Sequence, residues 1–236
     1  DRLTKITFED GKTMEYEYDE EGNVKKITEN ASFSTPKVTE FKYYGDNRLH
    51  QIIYVRSGGN QVFTYAYDDG GRPLTLTYPT STGIVAHFDD GATPTPTPGW
   101  DGNGQLRFLR YVKGGTTVIR RFEYQYDDSG NRISQLDVTP TKATKWEYGY
   151  DWLDRLESVK KAEAATVGAL GALQLVSVYQ YDAADNRIEF QVPNLNPALT
   201  ETFTYSYKDG DDIESISKTV GSGSPVVIET FTSDDD

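Results

Sequence analysis

A short pattern that recurs about every two dozen residues constrains this chain more than anything else in it. Its clearest copy is Phe122-Glu-Tyr124-Gln-Tyr126-Asp127-Asp128-Ser129-Gly130-Asn131-Arg132-Ile133. Six other segments carry it: Met14 to Val24, Phe41 to Leu49, Phe63 to Leu74, Trp146 to Leu156, Tyr179 to Ile188 and Phe203 to Ile213. The second aromatic of each unit falls at Tyr18, Tyr43, Tyr67, Tyr126, Tyr150, Tyr181 and Tyr207, at intervals of 25, 24, 59, 24, 31 and 26. A period of this size marks a repeat architecture, in which one supersecondary unit packs mainly against its neighbours.

Each unit reads as a β-hairpin. Alternation such as Phe122, Tyr124, Tyr126 against Glu123, Gln125 sets three aromatics on one face of a strand and polar groups on the other, so one face is expected buried and one wet. The Asp-Asp-Ser-Gly-Asn type of run that follows is turn chemistry: Asp caps its own backbone, Gly accepts positive φ, and Asn tolerates the left-handed region. A returning strand then opens with Arg-Ile or Arg-Leu, as in Arg48-Leu49, Arg132-Ile133, Arg155-Leu156 and Arg187-Ile188. The next apolar residue comes three positions on, as from Ile133 to Leu136 or Leu156 to Val159, which a regular strand does not allow. A bulge or an early strand end accounts for it. The expected fold is all-β: residues 1–236 form a single array, an antiparallel meander of about eight tandem hairpins in a curled or spiralling sheet, with a closed β-barrel as the alternative.

Two stretches interrupt the pattern. In the long interval, Ile84-Val-Ala86-His-Phe88-Asp89-Asp90-Gly91 reads as an aromatic strand and turn, and Trp100-Asp101-Gly-Asn103-Gly104-Gln105-Leu106 as a repeated turn with the start of a returning strand. Between them the Pro/Thr-rich loop 93–99 is too rich in proline for a ladder and reads as an exposed extended connection, with O-glycosylation of its threonines as the alternative. In Lys161 to Val176 two glycines make a long helix costly. A loop running into the strand that ends at Tyr181 is favoured over a short helix at its start.

Composition enters through burial and charge. With 17 Tyr and 10 Phe, and a hydroxyl to satisfy on every buried Tyr, thin and partly wet layers are expected, not a thick oily interior. The net charge of −13, from 37 acidic against 24 basic residues, repels phosphate backbones and argues against nucleic acid as a partner. The chain has no cysteine, hence no disulfide framework and no thiolate metal site. No run of eighteen apolar residues suggests a membrane span, and the opening Asp1-Arg2-Leu3 is not a signal peptide, so the chain reads as a mature or trimmed product.

Tyr126-Asp127-Asp-Ser-Gly130-Asn131-Arg132-Ile133, Tyr181-Asp182-Ala-Ala-Asp185-Asn186-Arg187-Ile188 and Trp146-Glu-Tyr148-Gly-Tyr150-Asp151-Trp-Leu-Asp154-Arg155-Leu156 resemble the YD/RHS repeat family, and the likeness covers about nine tenths of the chain. That family includes bacterial Rhs proteins, the B and C components of insecticidal toxin complexes, and teneurins. The resemblance implies a β-sheet that spirals into a hollow shell, a non-catalytic structural role, and a place on or outside the bacterial cell. The Asp-Pro-containing autoproteolytic segment of Rhs proteins has no counterpart here, and about eight repeats are too few to enclose a folded cargo.

Residues with chemical potential have plainer readings beside them. His50 and His87 lack a second metal-type ligand at close spacing, and Asp128-Ser129-Gly130 lacks the apolar residues that precede the aspartic-protease triplet. No nucleophile elbow, phosphate-binding glycine loop or His-Glu-x-x-His segment is present, so no enzyme and no cofactor are expected. Asp101, Asn103 and Gln105 begin like an oxygen-ligand loop for structural calcium, as do Asp209, Asp211 and Asp212, but Val112 stands where an EF-hand needs a bidentate Glu. Ordinary Asx turns are the favoured reading of these runs, with weak structural cation binding as the alternative. Trp100 and Trp152, next to a proline loop and inside a turn, are the candidates for stacking on a glycan, which makes an adhesion module the alternative function; Trp146 belongs to a buried strand.

The termini look like half-hairpins. Leu3 and Ile6 match the returning strand, as in Asp154-Arg155-Leu156-Glu-Ser-Val159, and Val226, Ile228 and Phe231 match an opening strand, so two sheet edges are expected open. Two partners are expected for them: neighbouring repeats of a longer chain, or another copy of the chain added head to tail by strand completion.

Overall fold

The computed structural model describes residues 2–30, 35–208 and 212–231, and it is all-β. The chain divides into two compact units, 1–121 and 122–236. The first holds β1 (Lys5–Thr7), β2 (Thr13–Tyr18), β3 (Val24–Glu29), β4 (Lys37–Tyr43), β5 (Leu49–Val55), β6 (Gln61–Tyr67), β7 (Pro73–Thr77), β8 (Ile84–His87) and β9 (Phe108–Lys113). The boundary falls within β10 (Thr117–Tyr126). The second unit continues with β11 (Arg132–Thr139), β12 (Lys142–Tyr150), β13 (Leu156–Ala164), β14 (Gln174–Tyr181), β15 (Arg187–Val192), β16 (Glu201–Tyr207), β17 (Ile213–Val220) and β18 (Val226–Thr230). From β1 to β9, and again from β11 to β18, each strand pairs antiparallel with the next. Neither meander closes on itself among the described residues, which sets the barrel alternative aside.

The spacing of three resolves into a bulge. Tyr18 pairs with Val24, Tyr43 with Leu49, Tyr67 with Pro73, Tyr150 with Leu156, Tyr181 with Arg187 and Tyr207 with Ile213. In every case the register shifts between the tyrosine and the residue before it. Gly149, for example, pairs with Ser158 and Tyr150 with Leu156, leaving Glu157 as the extra residue. The bulge lets the first apolar residue of the returning strand and the one three positions later both serve the packed face.

Burial is shallow. Ile53, Ala86, Val112, Ala143 and Ala162 are the buried hydrophobic residues among the described residues, and no large side chain is completely enclosed. The aromatic rows are therefore half-buried, by neighbours in the same row, and not buried beneath a second layer. Phe190 stacks between Tyr179 and Phe203 at centroid distances of 5.2 and 5.6 Å, and Phe63 meets Tyr54 and Tyr78 edge to face at 5.8 and 5.4 Å. Such pairs contribute about 0.5–1.5 kcal/mol beyond area burial.

Two local expectations change. Lys161 to Ala164 is neither loop nor helix: it extends β13, with Lys161 opposite Trp146, its ammonium 5.7 Å from the indole. The chain then makes a single 3-10 turn at Val167–Ala169 and enters β14.

The long interval is one repeat split by an insertion. Thr75 pairs with His87 and His87 with Arg110, which puts Phe88 two positions before a tyrosine slot. The strand resumes at Gly99, whose N–H returns to the Phe88 carbonyl at 2.7 Å. Asp89 to Pro98 is thus a ten-residue excursion closed by a bridge between its ends, and Trp100, opposite Leu106, takes the tyrosine slot.

Candidate functional site

A feature that recurs at seven of the repeats lies at that slot. The Tyr43 hydroxyl donates to the Val24 carbonyl at 2.9 Å, and Val24 is the residue paired with the tyrosine of the preceding repeat. Tyr67 donates to Leu49 at 2.8 Å, Tyr181 to Leu156 at 2.9 Å and Tyr207 to Arg187 at 2.8 Å, each in the same relation. Tyr18 reaches Leu3 at 2.7 Å and Tyr150 reaches Arg132 at 3.0 Å. At Trp100 the indole Nε1–H donates to the Pro73 carbonyl at 2.8 Å, and Pro73 is the partner of Tyr67. This carbonyl lies two residues before the ladder to the next hairpin begins, at Lys26, Gln51, Thr75, Ser158 and Glu189, and the aromatic of the next repeat supplies a donor to it. Burial raises the phenol pKa values of Tyr43, Tyr67, Tyr150 and Tyr181, as expected for hydroxyls drawn partly out of water.

The aspartate after the slot builds the turn. Asp151 Oδ1 accepts from the Leu153 and Arg155 amides at 2.9 and 3.0 Å, and Asp182 Oδ1 from Ala184 and Asn186 at 2.8 and 2.9 Å. The fourth residue after the slot takes positive φ, as at Gly22, Asn47, Gly71, Asp154 and Asp185. Glycine, Asn and Asp tolerate that region best, which explains their alternation there. Arg155 in turn donates to the Asp182 carbonyl at 2.9 Å and covers the Tyr181 ring at 4.8 Å, and Arg48 treats Asp68 and Tyr67 alike at 3.1 and 5.1 Å. The result is a ladder of turns, each tied to the next.

The carboxylates in these turns make the fold acid-sensitive. Burial works to raise Asp182, but the amide and side chain of Asn186 outweigh it and hold the group below its ordinary value; the Arg72 amide first, and then its side chain, do the same for Asp68. Hydrogen bonds from Lys142 and Lys161 lower Glu163 from 4.5 to about 2. A depressed folded pKa contributes stability that is complete above the unfolded value, about 4, and is lost as pH falls through the folded one. The urea midpoint is therefore expected to fall between pH 5 and pH 2. Asp182→Asn, which keeps the accepting oxygen, should flatten that dependence with less loss at pH 7 than Asp182→Ala.

The candidate ligand residues fall into this scheme. Asp101 is a turn aspartate, its Oδ1 accepting from the Asn103 and Gln105 amides at 2.9 Å each, so the suspected calcium loop is the Asx turn of the split repeat. Asp209 and Asp211 lie outside the described residues. Trp100 is not the exposed platform expected: it stacks on Phe88 at 5.6 Å and 11° besides holding Pro73. Its match to Tyr-Asp-x-x-Gly was the signal that it fills a tyrosine slot. Trp146 is half-buried, and Trp152 is 87% exposed in its turn.

Sequence reasoning missed a cluster in the split repeat. Asp89 Oδ1 lies 2.5 Å from Arg110 Nε, with side-chain exposures of 20% and 18%, and His87 lies 4.0 Å from Asp89. Burial first, and then Arg110, lowers the His87 pKa against the opposing pull of Asp89. The signal was faint, because Arg110 is separated from Asp89 by the whole excursion. Of the suspected edge residues, Val226, Ile228 and Phe231 are 63%, 52% and 39% exposed and Leu3 is 56% exposed, while Ile6 is half-buried opposite Met14.

No protein-family model matches the chain. It is 27% identical over 152 residues to the tRNA nuclease WapA of Bacillus subtilis strain 168, and 26% identical over 152 residues to the tRNA3(Ser)-specific nuclease WapA of Bacillus spizizenii. Each match covers 64% of this chain and 6% of the relative, so the chain corresponds to a small part of those proteins. Among solved structures, a TcdB2–TccC3–Cdc42 complex has TM-score 0.42 and 14% identity over 92% of this chain and 14% of that one. The Photorhabdus luminescens Tc holotoxin pore has TM-score 0.42 and 14% identity over 95% of this chain and 15% of that one.

These relatives correct one expectation. The chain was expected not to be an enzyme because no catalytic motif occurs in it, whereas the curated relatives are named as nucleases. The motif argument reaches only the residues in this chain, and the match spans 6% of each relative, so it cannot speak for the proteins to which this chain is similar.

Proposed function

We propose that the chain is a structural repeat scaffold of the YD/RHS type, working at or outside the bacterial cell surface and joined through its open sheet edges to further strands. The observation that carries this reading is the aromatic latch: at seven slots an O–H or N–H donor of one repeat satisfies a carbonyl of the one before. Such coupling between neighbours stabilises an array in proportion to its length. The sparse burial also suits a wall better than a pocketed domain, since deep concave sites need thick surrounding packing.

Fractionation of the bacterium that makes the protein tests this reading. The chain is expected in the medium or exposed to protease on intact cells, with its repeats resisting digestion once released. Retention inside intact cells, or rapid cleavage throughout the repeats, contradicts it. A second reading, a part in nucleic-acid cleavage, is favoured by the names of the Bacillus relatives. Degradation of tRNA by the purified chain would move the assignment to that reading.

A further inference from the structure

Asn103 stands apart from the other asparagines of the turns. Where a repeat has asparagine at the fifth place after the slot, its side-chain amide is committed: Asn23 donates to Asp19 Oδ2 at 3.1 Å, Asn131 to Asp127 Oδ2 at 3.3 Å and Asn186 to Asp182 Oδ2 at 3.1 Å. Asn47 accepts from Asn23, and Asn60, Asn194 and Asn196 accept backbone amides through their side-chain oxygens. Asn103 is the third residue after the Trp100 slot and is exposed. Its backbone amide donates to Asp101 Oδ1 at 2.9 Å, but its side chain has no hydrogen-bond partner among the described residues. It is also the one asparagine of the chain that precedes glycine.

These features converge on one reaction. The side-chain carbonyl carbon of an asparagine lies within ring-closing reach of the next residue's backbone nitrogen, and groups so joined react far faster than the same groups free in solution. The usual obstacle is the side chain of that next residue. Gly104 has none, and it holds φ +78° with nothing within 4 Å of the place where a Cβ would stand. Its N–H bonds the Asp101 carbonyl at 3.2 Å, the long end of the ordinary range, so releasing it costs little.

We propose that Asn103 is a self-modification site, at which the Gly104 nitrogen displaces ammonia from the Asn103 side chain. Hydroxide takes the Gly104 N–H proton, the bond from Gly104 N to Asn103 Cγ forms, and the bond from Cγ to Nδ2 breaks. Nδ2 leaves as ammonia with a proton from solvent. The cyclic imide then adds one water, and nothing is oxidised or reduced. Water entering at Cγ gives aspartate at position 103; water entering at the main-chain carbonyl gives isoaspartate, whose chain runs through Cβ and Cγ. The inference is independent of the scaffold reading.

The two products act differently on the turn. Aspartate already stands third after the slot at Asp46, where Oδ1 accepts the Arg48 amide at 3.1 Å, so that product keeps the turn and adds a charge. Isoaspartate lengthens the main chain by a methylene between Asp101 and Gln105, whose amide Asp101 Oδ1 holds at 2.9 Å. The Asp101 carbonyl also accepts from Arg72 Nη1 of the preceding repeat at 3.0 Å. Isoaspartate at this position therefore loosens both the turn and its tie to the repeat before.

Incubation of the full chain at pH 8 and 37 °C, followed by peptide mass mapping, tests this. The peptide holding Asn103 is expected to gain one mass unit about tenfold faster than those holding Asn23, Asn131 and Asn186, and nearly as fast as it does in urea. Incubation at pH 6 should slow the gain at least about tenfold, because the nitrogen must lose its proton. Asn103→Gln, whose ring closure needs an extra member, should keep its mass and the melting temperature of the fresh chain. The aged chain should lose urea midpoint where fresh Asn103→Asp does not. No gain at Asn103 in the folded chain while the urea-unfolded chain gains there, equal gain at the committed asparagines, undiminished gain in Asn103→Gln, or an aged chain as stable as Asn103→Asp overturns the inference.

Discussion

The substitution Gly99→Ala is expected to destabilise the first unit by about 3–4 kcal/mol, from overpacking plus broken backbone hydrogen bonds. A Cβ at Gly99 would stand 2.4 Å from the carbonyl carbon and oxygen of Phe88 and 2.6 Å from the Phe108 oxygen. All three atoms belong to backbone, so no side-chain rotation relieves the contact. The strand segments must part, and with them go the Gly99 N–H bond to Phe88 and the Arg107 and Phe108 N–H bonds to Gly99. The Trp100 stack and latch depend on that closure. Urea unfolding followed by tryptophan fluorescence measures the loss. Gly102→Ala, three residues away with nothing within 4 Å of its Cβ, should shift the midpoint little.

Asp89→Ala is expected to cost roughly 3 kcal/mol, because it leaves the Arg110 guanidinium largely buried without its partner. It also removes the acceptor of the Gly91 amide, 2.9 Å from Asp89 Oδ1, and so loosens the base of the excursion. Asp89→Ala combined with Arg110→Met should recover most of the loss, since replacing both members of a buried pair by apolar groups is often near neutral. His87 adds a pH signature. Its folded pKa lies below the ordinary value of about 6.5, so the unfolded chain takes up the proton first. Its contribution is complete above that ordinary value and is lost as pH falls below it and through the lower folded value. Chemical denaturation of the two variants at pH 7.5 and 5.5 checks both statements.

The hairpins were legible because aromatic alternation and the Asp-x-x-Gly or Asn turn each obey a local rule, of strand period and of positive φ. The bulge was half legible: Leu156 and Val159 announce an irregularity, but only pairing across strands separates an extra residue from a strand end. The long interval was legible as a degenerate unit, but not its register, since the excursion parts Phe88 from Gly99 and Trp stands where Tyr is expected. Lys161 to Ala164 has good helix formers, and the ladder with β12 overrode them, burying Ala162 and setting Glu163 between Lys142 and Lys161. The latch itself could not be read from the chain, because its donor and acceptor lie in different repeats, 18 positions apart for Tyr67 and Leu49 and 25 for Tyr181 and Leu156. Their meeting follows from the stacking of whole hairpins.

Hydroxyl deletion at paired tyrosines tests that stacking most directly. Tyr67→Phe and Tyr181→Phe remove a latch, while Tyr65→Phe and Tyr148→Phe remove hydroxyls from rings two positions before a slot, for which no hydrogen bond to a described residue is found. Urea midpoints at pH 7 are expected to fall by about 1 kcal/mol for each latch variant, to sum for the pair, and to move by less than about 0.5 kcal/mol for each control. Equal losses at latch and control positions, or none at either, would contradict the claim that successive hairpins are locked through the tyrosine of one and the returning strand of the one before.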